Sequence, residues 1–145
     1  MFIGLDLGTS SLKAILINDT QTVLAEHTVP LTVQRPYDGW SEQDPETWFI
    51  ATEQALTTLA AQTDCSTVTG IGLSGHMHGA TLFDKGDNPL RPCMLWNDTR
   101  SHVEAGEMDA NPLFRAKTGN IVFPGFTAPK VEWVRRNEPE VFGKI

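Results

Sequence analysis

The residues with the clearest capacity for chemistry stand within the first thirteen positions. Asp6 lies inside the apolar run Phe2 to Leu7, and three hydroxyls (Thr9, Ser10 and Ser11) follow in a glycine-initiated turn, with Lys13 just beyond. A carboxylate can hold a hydrated divalent cation, and a tight turn offers backbone N–H groups and hydroxyls to an oxyanion. Those are the two things that a triphosphate needs. A lone carboxylate within a buried strand must be protonated, hydrogen-bonded or matched with a cation. The same residues therefore fit a plainer reading, a hairpin whose Asp6 is satisfied by the hydroxyls of its own turn. Residue types leave the two open.

A second set of polar residues comes later. Gly75-His76-Met77-His78-Gly79 follows one apolar run, and Asn97-Asp98-Thr99-Arg100 follows another that ends at Trp96. His76 and His78 share a direction on an extended chain, and with Asp98 and His102, four apart on a helix, they sketch a zinc site. Nothing in the sequence joins the two pairs, and a hydrogen-bonding rim is the simpler reading. Arg100 would stand in the first turn of a helix capped by Asp98, against the macrodipole, which implies a specific partner. The plainer alternative is an exposed Asp98–Arg100 pair of little worth. Gly70-x-Gly72-x-x-Gly75 matches the dinucleotide fingerprint, but these glycines lie within a strand pattern rather than opening a helix. A nicotinamide or flavin site is not expected.

The elements that must position these residues can be taken in order. Phe2 to Ile17 reads as two short strands around the turn Gly8 to Ser11, and Gln21 to Leu31 as a third after a turn at Asn18-Asp19-Thr20, giving an antiparallel meander. Asp44 can cap a helix with Pro45 in its first position, running to about Gln62 with Trp48, Thr52, Ala55, Leu56 and Leu59 on one face. Trp40 and Trp48 are expected to pack under it. Val68 to Ser74, Ala80 to Asp84 and Pro92 to Trp96 read as strands, the last two separated by a turn at Lys85 to Pro89. Helices are expected from Asp98 to about Met108, from Asn111 to Lys117 ending at Gly119, and from Ala128 to Arg136 behind a Thr127 cap. A further helical turn starts at Glu138-Pro139-Glu140.

With 145 residues the chain is one ordinary domain, large enough for a core. A net charge of −7 and a pI near 4.9 argue against nucleic acid as a partner. Cys65 and Cys93 form no C-x-x-C and no staple framework, so a reducing compartment is expected. No cleavable leader and no apolar run of about 18 residues is present, and the expected location is cytoplasmic, without a membrane partner.

Five ordered blocks, residues 3–13, 40–48, 75–80, 95–100 and 118–130, carry a resemblance to the N-terminal portion of the FGGY carbohydrate kinase family, on the side of its xylulose-phosphorylating members. They read I-G-L-D-L-G-T-S-S-L-K, W-S-E-Q-D-P-E-T-W, G-H-M-H-G-A, L-W-N-D-T-R and T-G-N…P-G-F-T-A-P-K. The resemblance implies an α/β fold with a ribonuclease-H-like core, the actin/Hsp70-type ATPase fold, in two lobes that close over ATP, Mg²⁺ and a sugar. It implies transfer of the γ-phosphoryl group of ATP to D-xylulose, giving the 5-phosphate. Asp6 would then orient hydrated Mg²⁺, with Thr9, Ser10, Ser11 and Lys13 near the phosphoryl group. Met77 and His78 would touch the sugar, and Asn97, Asp98 and Arg100 would hold its hydroxyls beside Trp96. His76 stands where such members usually have glutamine, which keeps ribulose, glycerol or gluconate open as substrates. A non-catalytic actin-like nucleotide-binding module is the remaining alternative, and a homodimer stays open. The family's general base and adenosine pocket lie beyond Ile145, so residues 1–145 are expected to form a truncated sugar-binding lobe, inactive alone, without the C-terminal ATP-binding lobe.

Overall fold

A computed structural model describes residues 1–145. The strands are β1 (Phe2–Leu7), β2 (Ser11–Ile17), β3 (Val23–Pro30) and β4 (Glu42–Gln43), followed by helix α1 (Pro45–Gln62) and strands β5 (Gly70–Gly75) and β6 (Cys93–Met94). Helices α2 (His102–Ala110), α3 (Pro112–Thr118), α4 (Thr127–Asn137) and α5 (Pro139–Phe142) complete the chain. They divide into two compact units, residues 1–33 with 46–76, and residues 34–45 with 77–145. No helix is long and apolar enough to cross a membrane.

The first unit is built on a four-stranded sheet in the order β3-β2-β1-β5. Three β-branched- and leucine-rich segments joined by tight turns pair antiparallel, as the meander reading expects, with Asp6 opposite Lys13 and Lys13 opposite Thr28. The Asn18 side chain closes the second turn by accepting from the Thr20 and Thr22 N–H groups at 3.0 and 2.9 Å, the usual service of asparagine in turns. Successive side chains alternate across the sheet. One face carries Ile3, Leu5, Leu12, Ala14, Leu16, Ala25 and Val29, which pack with Ala51, Ala55 and Leu59 of α1.

That helix begins at Pro45 as expected, since proline lacks the N–H that a first turn leaves unpaired anyway. Its buried stripe is Ala51, Ala55 and Leu59, spaced four apart and rotated from the stripe expected through Trp48 and Thr52. Two alanines let the helix axis come close to the sheet, which tryptophan would prevent. β5 then pairs parallel with β1, Gly72 beside Gly4 and Ser74 beside Asp6. The fingerprint glycines therefore lie inside a strand, and no helix opens after them.

The second unit has a small sheet, β4 against β6, extended by isolated bridges from Gln34 to Glu42, Ala80 to Met94 and Phe83 to Pro89. The strands expected at 80–84 and 92–96 shrink to these contacts. Its apolar core is Ala80, Leu82, Met94 and Val134, with Val131, Trp133 and Val141 against it. Asn111 caps α3 by accepting from Leu113 N–H at 3.1 Å, and Gly119 ends it at φ +69°. Asp98 does not cap α2, whose N-cap is Ser101, and Thr127 is already helical behind an N-cap at Phe126.

Candidate functional site

The first unit holds the hairpin residues. Gly8 N–H donates to Ser11 O at 2.9 Å, closing a loop whose tip is Thr9 and Ser10. A Cβ on Gly8 would come within 3.1 Å of that oxygen, so glycine permits the tight closure. Ser10 O accepts from Leu31 N–H at 2.8 Å, which ties the tip to the chain beyond β3. Asp6 is exposed rather than buried. The correction follows from parity: Ile3 and Leu5 face the core, so Asp6 shares the opposite face with Gly4 and its cross-strand neighbour Lys13.

On that face Asp6, Lys13, Ser74, Gly4, Gly72 and Glu26 line an open cleft of about 540 Å³. Lys13 Nζ lies 2.9 Å from Glu26 Oε2, both side chains half exposed or more. Such an exposed pair contributes roughly 0–1 kcal/mol, so an anionic ligand can draw Lys13 away at little cost. Residues able to ligate a metal do not gather in threes anywhere in the chain, which removes the zinc sketch of His76, His78, Asp98 and His102. A single exposed carboxylate suits a hydrated Mg²⁺, which keeps several waters and takes one or two protein carboxylates beside the phosphates of its nucleotide. At the end of β5, His76 N–H donates to Leu7 O at 3.0 Å and its ring meets Trp48 edge-on at 5.4 Å.

The second unit gathers the later blocks. Met77, His78 and Trp96 are exposed, and Asn97 is half-buried with its Oδ1 shielded and unpaired. The His78 ring lies 4.7 Å from Phe126, which in turn lies 4.3 Å from Phe123. A Cβ on Gly125 would sit 2.9 Å from Trp96 O, so the 118–126 loop can press on Trp96 only through glycine. Lys130 Nζ donates to both His78 O and Gly125 O, at 2.8 and 2.7 Å, and so links these segments. An aromatic wall, an imidazole and an unpaired amide oxygen are what a polyhydroxyl ligand uses.

Asp98 and Arg100 are bonded within the chain. Asp98 is fully buried and accepts from Ser41 N–H at 2.7 Å and from Arg100 N, Nε and Nη2 at 3.1, 2.9 and 2.6 Å. Arg100 also meets Glu42 at 2.7 Å and lies over the Trp40 ring, 3.4 Å from its centroid. Arg91 shares the same Glu42 oxygen at 2.6 Å. Asp98 and Arg100, expected to hold sugar hydroxyls, have polar atoms that join the 40–45 and 95–100 segments to each other. Trp40, expected under α1, instead lies beneath this guanidinium and meets Trp133 edge-on at 5.5 Å within the second unit. Sequence reasoning missed Glu42 and Lys130; a lysine one residue after a helical proline was the available signal, and Glu42, set among Ser41, Gln43 and Asp44, offered none.

The first unit is an antiparallel meander with a parallel fourth strand and a hydroxylated hairpin beside an exposed aspartate, and the chain belongs to the FGGY family of carbohydrate kinases. Residues 1–145 match that family's N-terminal domain. The chain is 51% identical over 146 residues to the xylulose kinase of Klebsiella pneumoniae and 50% identical to that of Escherichia coli K12, each alignment covering 100% of this chain and 30% of the relative. It thus spans about 30% of the length of these curated relatives. Among solved structures it superposes on a xyloylose kinase from Brucella ovis with a TM-score of 0.96 at 58% identity, covering 99% of this chain and 30% of that one. The xylulose kinase from Rhodospirillum rubrum follows at 0.93 and 36%, with the same coverages. The fold is that of the FGGY sugar kinases, the actin/Hsp70-like ATPase fold.

Proposed function

We propose that the complete protein transfers the γ-phosphoryl group of ATP to D-xylulose, giving D-xylulose 5-phosphate. The observation that carries this reading is identity of 50% or more, along the whole chain, to the xylulose kinases of two organisms. The geometry supports it. Asp6, exposed on the open sheet face, would hold Mg²⁺ through water, and the metal when bound would neutralise phosphate charge. Thr9, Ser10 and Ser11 donate hydroxyl hydrogen bonds to phosphate oxygens, and Lys13 exchanges Glu26 for one of them. Phosphoryl transfer needs little else from this part of the protein than positioning and charge.

Asn97 Oδ1 accepts from a sugar hydroxyl, which gives a shielded acceptor the partner it lacks in the chain. His78 donates or accepts a second bond, and Met77 and Trp96 cover the carbon face of the sugar. Asp98 and Arg100 hold the 95–100 segment in place from below.

The test is a sugar panel on the full-length protein, with ADP release as the readout. D-xylulose should exceed ribulose, glycerol and gluconate in kcat/KM by about tenfold or more, the margin of one well-made hydrogen bond. A different sugar ahead by that margin makes the protein another kinase of the family, a reading that His76 in place of glutamine leaves open. ATP binding that no sugar alters makes it a nucleotide-binding module.

A further inference from the structure

Lys130 is the largest side chain that the fold buries completely. An ammonium taken out of water is costly unless a partner compensates for it, and no carboxylate touches it. Its Nζ spends its hydrogen bonds on two backbone carbonyls, His78 O at 2.8 Å and Gly125 O at 2.7 Å. Burial pushes the ammonium down to about 8, against a partial counterweight from Asp98 and Cys93, with Arg100 adding to the fall. A leucine there would fill the space without that cost. The two carbonyls must therefore matter.

His78 has φ +63°. A non-glycine residue in the left-handed region is strained and persists only where its surroundings over-determine it. The charge-assisted bond from Lys130 to the carbonyl of that same residue is the contact that does so here, and such bonds are about twice as strong as neutral ones. The other carbonyl belongs to Gly125, whose missing side chain lets the loop approach Trp96 O.

We propose that Lys130 is a positioning residue for the sugar: by gripping the His78 and Gly125 carbonyls it fixes the strained His78 peptide, and with it the imidazole, at a set place beside the Phe126 ring. The proposal rests on the reading of His78 as a sugar contact.

The experiment compares Lys130→Met with Val134→Ala in the full-length kinase. Val134 is fully buried one turn further along α4 and belongs to the unit's apolar core. Lys130→Met, which releases both carbonyls, should raise the sugar KM about tenfold or more, with the ATP KM within about twofold and kcat within about threefold. Val134→Ala should lower the thermal midpoint and leave the sugar KM within about twofold of wild type. A Lys130→Met enzyme with wild-type sugar KM, or a Val134→Ala enzyme with an equal rise, overturns the proposal. Should Lys130→Met not fold, the wild-type enzyme serves: sugar affinity should weaken severalfold from pH 7 to 9.5 as the ammonium discharges among Asp98, Cys93 and Arg100, while ATP affinity holds. A flat sugar profile overturns it equally. A wild-type protein that phosphorylates no sugar sinks the kinase reading; an active wild type with an indifferent Lys130→Met sinks this inference alone.

Discussion

Replacing Asp98 with asparagine separates a structural carboxylate from a substrate-binding one. The side chain is fully buried and accepts four hydrogen bonds, one from Ser41 and three from Arg100. Asparagine keeps one acceptor oxygen and turns an NH₂ group toward guanidinium donors that need an acceptor. Arg100 is then left with Glu42 as its carboxylate, an oxygen already shared with Arg91. Removing one partner of a buried pair costs about 3–5 kcal/mol, since the other charge stays buried and under-compensated. With a urea slope of about 2 kcal/mol per molar, the unfolding midpoint should fall by roughly 1.5–2.5 M. Tryptophan fluorescence is a direct reporter, because Trp40 and Trp133 lie 3.4 and 5.2 Å from the Arg100 guanidinium. Combining Asp98→Asn with Arg100→Met should cost less than the sum of the two by more than about 1 kcal/mol, the mark of a coupled pair. The reasoning is refuted if Asp98→Asn unfolds at the wild-type midpoint while the sugar KM rises, for Asp98 would then belong to the substrate.

Asp6→Ala in the full-length enzyme should leave folding stability within about 0.5 kcal/mol, as an exposed side chain does, and lower kcat about a hundredfold or more with little change in sugar KM. Unchanged turnover with lost sugar binding contradicts the metal and phosphate assignment. Gly125→Ala places a Cβ 2.9 Å from Trp96 O and 2.6 Å from Phe123 Cε2; the carbonyl cannot give way, so a cost of about 1–3 kcal/mol and a raised sugar KM are expected, and an unchanged thermal midpoint refutes the close approach. Lys130 titrates near 8 when folded against 10.5 unfolded, so between those values the unfolded chain binds more protons and stability rises with pH. Burial raises the Cys93 thiol and works the other way, so the measurement is the stability of wild type minus that of Lys130→Met at pH 7.5 and 9.5. The difference should grow; a constant or shrinking one removes the buried cation from the account.

The parts of the fold that were legible in the sequence are those set by local chemistry. The Gly8–Ser11 turn, the asparagine-closed turn at Asn18, the helix start at Pro45 and the αL stop at Gly119 each depend on residues within a few positions of one another. The exposure of Asp6 was legible too, in the alternation of Ile3, Leu5 and Leu7 against Gly4 and Asp6, but an apolar run invites the assumption that both faces are covered. What stayed hidden is long-range. Ser41 reaches Asp98 across 57 positions, Arg91 reaches Glu42 across 49, and Lys130 reaches His78 across 52. No periodicity encodes such pairs. A buried ion network also looks, residue by residue, like a polar substrate site, because both consist of carboxylate, guanidinium and tryptophan.

That confusion bears on which sugar the rim can take. If Asp98 and Arg100 stay committed to Ser41, Glu42 and Trp40 when sugar binds, the groups this unit offers it include an amide oxygen, an imidazole and an aromatic face. The cations that approach the rim from within, Arg100 and Lys130, are both buried and both engaged with the chain. A sugar acid brings a carboxylate that must lose water on binding, and without a presented cation that loss goes uncompensated. A neutral ketose brings only hydroxyls, which amide and imidazole can pair. Gluconate should therefore be the poorest of the panel in this part of the site, weaker than glycerol or ribulose as well as D-xylulose. A gluconate affinity matching that of the neutral sugars would mean that Arg100 leaves Asp98 when substrate arrives, and the midpoint of Asp98→Asn would then shift by less than the buried pair requires.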